Sequence, residues 1–150
     1  MGQSLTSLLV HVVFSTKHRR NIISPDIEPE LFAYISQVSK SHNSPCLAIN
    51  GTANHVHLLI VLSKNLALSN LVRDLKRNSS RWIKTKGPKF NDFEWQDGYG
   101  AFTIGQSGVD TVKRYISRQK IHHHQSAFEV ELKELLTRYQ IEFDENHLWE

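Results

Sequence analysis

"NHVHLLIVL", residues 54–62, decides how the chain is read. Side chains on a strand alternate between faces, so Val56, Leu58, Ile60 and Leu62 form an unbroken apolar stripe on one side. His55 and His57 then share the other side, roughly 7 Å apart along the strand. An imidazole pair so placed can hold a metal ion, or can be polar surface on a solvated sheet face.

Outward from this strand the chain punctuates itself clearly. "CLAIN" (46–50) is a short strand, and residues 51–54 turn it back into His55–Leu62 as a hairpin. "SLLVHVVFST" (7–16), rich in β-branched residues, reads as a buried strand, followed by the basic loop "TKHRRN". Ser24-Pro25 reads as an N-cap with proline in the first turn, and Ile27, Leu31, Ile35 and Val38 continue at helical spacing. A second helix is expected from Leu68 to Thr85, with Leu68, Leu71, Val72, Leu75, Ser79 and Trp82 inward. After the loop "GPKFNDFEWQDGYG", "AFTI" is a fourth strand. Phe93, Trp95 and Tyr99 of that loop read as core or partner contacts, with base stacking as the other role. Ser107 and Asp110 resemble a capping box opening the helix "GVDTVKRYISRQKIHH". Phe128, Leu132, Leu135, Leu136 and Tyr139 form a last amphipathic segment.

The order strand, helix, strand, strand, helix, strand is the βαββαβ unit. The expected class is therefore α+β: a ferredoxin-like, RRM-like antiparallel sheet, with an additional C-terminal helix carrying Tyr115. The first and third strands are then central, and if Val56, Leu58 and Ile60 lie under the two crossover helices, the histidines look out from the open face.

At 150 residues the chain is read as one domain, residues 1–150. Its 39% hydrophobic and 22% charged content is ordinary for a soluble protein, and neither a membrane span nor secretion is expected. The single cysteine, Cys46, excludes an internal disulfide and a cysteine-rich zinc site, and fits a reducing cytoplasm. The net charge of +3 hides an asymmetry. Eight Lys or Arg lie between Lys64 and Lys89 against Asp74 alone, whereas seven acids lie between Glu129 and the end. A basic middle suggests a polyanion partner, or a solvated helix face balanced by its own tail.

Tyr115 and Gln119 stand four apart, one helical turn, and so share a face. Two imidazole nitrogens and a carboxamide oxygen would leave open positions on an ion, a catalytic rather than a structural arrangement. Nitrogen and oxygen ligands without thiolate suit magnesium or manganese, with zinc possible. The consecutive His122, His123 and His124 point about 100° apart on a helix and cannot chelate one ion together. His11 is either an orienting neighbour of a ligand or simply buried.

With "HVH" (55–57), "YISRQ" (115–119), "HVVFSTKHRR" (11–20) and "WQDGYGAF" (95–102) in this order, the chain resembles the single-tyrosine HUH transposases of prokaryotic insertion sequences, including relatives associated with repeated extragenic palindromes. The resemblance implies His55, His57 and Gln119 as ligands of a divalent metal, Mg2+ or Mn2+, and Tyr115 as the nucleophile. It implies cleavage and rejoining of single-stranded DNA bearing imperfect hairpins, through a 5′-phosphotyrosine. It implies a homodimer in which the tyrosine helix can complete the partner's site, and a cytoplasmic, nucleoid-associated location. Lys17, Arg19, Arg20, Arg73, Lys76, Arg77, Arg81 and Lys84 are the candidate phosphate contacts. No Gly-rich GKS/T loop offers a nucleotide cofactor a seat. The rival readings are a nicking endonuclease of replication or conjugation, and a non-catalytic nucleic-acid-binding module on an RRM-like sheet.

Overall fold

The computed structural model describes residues 2–121 and 127–150. Strand β1 (Leu9–Ser15) is buried along its whole length, the polar His11 and Ser15 included. Helix α1 (Glu28–Ser41) follows, then β2 (Cys46–Gly51), β3 (His55–Val61), α2 (Leu68–Lys84) and β4 (Gly100–Ile104). Helix α3 (Val109–Ser117) carries Tyr115, and α4 (Phe128–Arg138) ends the set. The strands form one antiparallel sheet in the order β2-β3-β1-β4, so β1 and β3 are central. Among the described residues no helix is long and apolar enough to cross a membrane.

Strand alternation sorts the sheet into two faces. Val10, Val12, Phe14, Val56, Leu58 and Ile60 meet Leu31 and Ile35 of α1 and Leu71, Val72, Leu75 and Ile83 of α2. Phe93 and Trp95 join this core and are not available to stack on bases. The Trp95 ring stands edge-on to Phe14 and Phe93, and its Nε1 donates to Ser79 Oγ at 2.9 Å. Phe14 is fully buried on a central strand, so Phe14→Ala should cost about 3–5 kcal/mol. Chemical denaturation checks this; a loss below about 1 kcal/mol would mean the strand is not central to the core.

The opposite face carries α3 and α4. Leu9 and Leu59 pack on Val109 and Ile116 of α3, while Val13 and Phe102 pack on Phe128, Leu132, Leu135 and Leu136 of α4. Gly100 makes room for this second contact, since a β-carbon there would stand 3.0 Å from Val13 and 3.4 Å from Leu132. Gly51 is required by the turn into β3, where a β-carbon would fall 2.1 Å from the His55 carbonyl oxygen.

Local expectations fail in three places. The chain turns at residues 25–27 and α1 begins at Glu28, with Pro29 in its first turn, where a missing N–H costs nothing. Ile83 rather than Trp82 completes the inner stripe of α2, and Trp82 stacks on Tyr34 instead, ring centroids 5.1 Å apart. No capping box forms at Ser107, because residues 106–108 take a 3-10 turn and Gly108 occupies the N-cap position with no side-chain bond.

Candidate active site

Cross-strand register builds the site. His57 lies opposite Val13 and His55 opposite Ser15, so both imidazoles stand on the face that α3 and α4 cover. Both are 0% exposed. The polar-surface reading of the pair is thereby replaced: these are buried rings with specific partners.

His55 Nδ1 lies 2.8 Å from Asn54 Oδ1 and 3.0 Å from Thr52 Oγ1. An amide oxygen can only accept, so Nδ1 carries the proton and Nε2 presents its lone pair. That lone pair faces Gln119 Oε1 at 3.1 Å. An imidazole nitrogen and an amide oxygen at this spacing could bind one cation, and with the carboxamide turned they make an ordinary hydrogen bond. His57 Nδ1 is 2.8 Å from His11 Nε2, and His57 Nε2 is 2.5 Å from Glu131 Oε1. Ligand atoms of His55, His57 and Glu131 all lie within 4.8 Å of one another. Donors bound at about 2.1 Å to one ion stand roughly 3–4 Å apart, so the cluster fits a divalent ion after shifts of less than about 1 Å.

Tyr115 completes the group. Its ring centroid is 5.7 Å from that of His57 and 6.0 Å from that of His11, edge-on to both. Burial raises the phenol's pKa above its ordinary value, and the charge and hydrogen bond of Glu131 raise it further, while a hydrogen bond with Gln119 opposes. His11 is held neutral, its pKa lowered to about 3 by burial and then by the neighbouring His57.

Glu131 is the member the sequence reading missed. It sits on the apolar stripe of α4, three residues after Phe128 and four before Leu135, where a charge needs a buried partner. That misfit is its only signal in the sequence. Gln119 reaches the site by an unexpected route: α3 ends at Ser117, the backbone leaves helical geometry at Arg118, and a new helical turn carries residues 119–121. His122–His124 lie outside the described residues.

The basic candidates do not gather at this site. α2 packs on the other face of the sheet, where Arg77, Arg81 and Lys84 are exposed, and exposed Arg73 bonds Asp74. Lys76 turns inward and donates to the carbonyls of Gln96, Asp97 and Gly98 at 2.6–3.2 Å. Burial lowers its pKa to about 8. In the loop after β1, Lys17 pairs with Asp97, Arg20 with Asp92, and Arg19 with Glu129 while stacking over Trp149. Lys17, Arg73, Arg77 and half-exposed Tyr99 border a groove of about 580 Å³ between α2 and residues 94–99.

Comparison with known proteins gives this geometry a family. Residues 4–119 match the family described as "Transposase IS200 like". The chain is 19% identical over 114 residues to the ISDra2 transposase TnpA of Deinococcus radiodurans, covering 73% of this chain and 81% of that protein. A crystal structure of a Deinococcus radiodurans R1 protein described as a transposase shares the fold with a TM-score of 0.62 at 20% identity, over 79% of this chain and 96% of that one. A REP-associated tyrosine transposase bound to a REP hairpin also gives a TM-score of 0.62, at 15% identity, over 82% of this chain and 72% of that one. The family match stops at Gln119, before α4 and Glu131. With more than two thirds of its length matched, the chain belongs to the IS200-like transposase family, whose business is DNA transposition.

Proposed function

We propose that this transposase cleaves and rejoins single-stranded DNA at hairpin-flanked element ends, through a 5′-phosphotyrosine on Tyr115. The observation that carries the reading is the meeting of a phenol, two imidazoles, a carboxamide and a carboxylate in one buried cluster. His55, His57, Gln119 and Glu131 would hold a divalent ion, with the all-nitrogen-and-oxygen set favouring Mg2+ or Mn2+. Such an ion supplies positive charge beside a DNA phosphate and beside the phenol.

The chain's own residues do the rest. His55 and His57 are oriented by Asn54 and His11, which fix the nitrogen each ring turns inward. Tyr115 Oη forms a bond to phosphorus as the bond from phosphorus to the 3′ oxygen breaks. The phenolic proton leaves towards the Glu131 carboxylate that the hydroxyl meets, and the departing 3′ oxygen takes a proton from water, ending as a free hydroxyl. Attack by a second 3′-hydroxyl on the phosphotyrosine reverses the exchange, so no ATP is needed. His55, His57 and Gln119 are fully buried, so part of the cover over the sheet must move for a phosphate to reach them.

The hairpin carried by the REP-associated relative supports assigning a hairpin to this chain as well. We place its stem along the exposed Arg77, Arg81 and Lys84 of α2, and we assign the protein to the cytoplasm as a homodimer on nucleoid DNA. The direct test incubates the full chain with Mn2+ or Mg2+ and end-labelled single strands containing a hairpin. A denaturation-resistant adduct on the 5′ side of the cut, with a free 3′-hydroxyl on the other fragment, is expected. Cleavage with no adduct at any time would overturn the phosphotyrosine. Arg77→Ala and Arg81→Ala should each lower the salt dependence of hairpin binding by about one charge. Lys76→Met should leave that slope unchanged and loosen residues 96–98 instead; an equal fall in all three variants would contradict the inward role of Lys76.

A further inference from the structure

We propose that residues 96–100 form a saddle over which single-stranded DNA passes from the basic face of α2, round the β4 edge of the sheet, to the side that carries the catalytic cluster. The proposal rests on the function above, because its occupant is the unpaired strand between the hairpin stem and the phosphate to be cut.

The positions of stem and cluster call for such a route. Exposed Arg77, Arg81 and Lys84 lie on α2 behind the sheet, whereas His55 and His57 stand on the front face with α3 and α4. A strand held at both places must round one edge of the sheet, β2 or β4. At the β2 edge Lys120 spans the gap, pairing with Glu28 of α1 and donating to Asn50 Oδ1 at 3.2 Å. At the β4 edge two hollows meet instead. The groove of about 580 Å³ lies on the α2 side, and a second hollow of about 270 Å³ lies against Leu132 and Leu136 of α4, next in sequence to Glu131. Gln96 and Tyr99 line both, so the hollows are the two ends of one passage over residues 96–100.

The chemistry of this passage fits an unpaired strand. Lys17, Arg73 and Arg77 border its α2 end, where phosphates need cations. Tyr99 is 39% exposed, and Phe143 in the second hollow is 38% exposed. Half-exposed rings on either side of the crest offer bases a flat face whatever their sequence. Asp144 and His147 share the second hollow, so bases turn inward there and their phosphates stay in solvent. The crest itself is firm. Lys76 Nζ donates to the carbonyl oxygens of Gln96, Asp97 and Gly98, which answers their partial charge with an ammonium instead of leaving it for a passing phosphate. Gly98 keeps the crest low. A β-carbon there would meet only Gln96 Nε2, at 4.0 Å, and the backbone is outside the positive-φ region, so the fold itself does not demand glycine.

The test uses metal-free, full-length protein and a REP hairpin of the kind the structural relative carries, with and without an unpaired flank on the side to be cut. Fluorescence anisotropy should show the flank tightening binding on the order of tenfold, as stacking of about one base implies. Gly98→Leu, which raises a side chain on the crest, and Tyr99→Ala should each remove most of that gain and leave binding of the bare stem unchanged. A flank carrying 5-iodouracil should photo-crosslink to Tyr99 from positions nearest the stem and to Phe143 from positions further on. If the bare stem does not bind the parent protein, the hairpin reading fails and the saddle with it. If the stem binds but the flank adds nothing, or Gly98→Leu keeps the whole gain, the saddle alone is overturned. Crosslinks confined to α1 or β2 would send the strand round the other edge and overturn it equally.

Discussion

A Tyr115→Phe variant should bind hairpin-bearing single strands as the parent does and form no covalent adduct, with cleavage down by at least about a thousandfold. The substitution removes one oxygen and leaves the ring, whose edge-on packing against His11 and His57 does not involve the hydroxyl. The ring packing is therefore kept, and the atom removed is the proposed nucleophile. In its buried setting beside Glu131 the hydroxyl is held protonated, above the ordinary value of about 10. A cation held by the four proposed ligands would oppose that bias by favouring phenolate. If the phenylalanine variant still cleaves at a substantial rate, water is the nucleophile and the enzyme is a hydrolase.

The second large effect belongs to His57. His57→Gln should weaken Mn2+ binding by about a hundredfold and depress cleavage to match, while hairpin binding stays. Glutamine is the better probe than alanine. His57 Nε2 faces the Glu131 carboxylate, and removing the whole side chain would leave a buried charge uncompensated, at a cost of about 3–5 kcal/mol in stability. Thermal unfolding gives a readout that needs no DNA. At a hundred times its dissociation constant an ion stabilises the folded state by about 2.7 kcal/mol, several degrees in Tm for a chain of this size. The parent should gain that increment on adding Mn2+ and His57→Gln should not. Glu131→Gln, which keeps the shape and loses the charge, should fall between them. An equal gain in all three proteins would place the ion elsewhere.

These outcomes also bear on what a sequence can and cannot reveal. The sheet and its faces were readable because strand alternation is strict: once Val56, Leu58 and Ile60 point one way, His55 and His57 have nowhere to go but the other. Tyr115 and Gln119 were readable together as one helical turn, even though the helix breaks between them at Arg118. Glu131 was not. Its helical spacing puts it on an inward stripe, but which residue it meets depends on how α4 docks on Val13 and Phe102, and no local pattern encodes that. Lys76 failed for the same reason in reverse. Periodicity placed it with Arg73 and Arg77 on a basic face, yet three carbonyls of the 96–98 segment, remote in sequence, hold it. Ser107 shows that a short motif yields to the backbone: the 3-10 turn at 106–108 leaves its hydroxyl no capping role.

The site of covalent attachment tests the central claim most directly. Protein incubated with Mn2+ and a hairpin-bearing single strand, then digested with nuclease and trypsin, can be mapped by mass spectrometry. The nucleotide should be found, joined through its 5′ phosphate, on the peptide spanning residues 115–118. A nucleotide on any other tyrosine, or cleaved DNA with residues 115–118 unmodified throughout the reaction, would contradict the account.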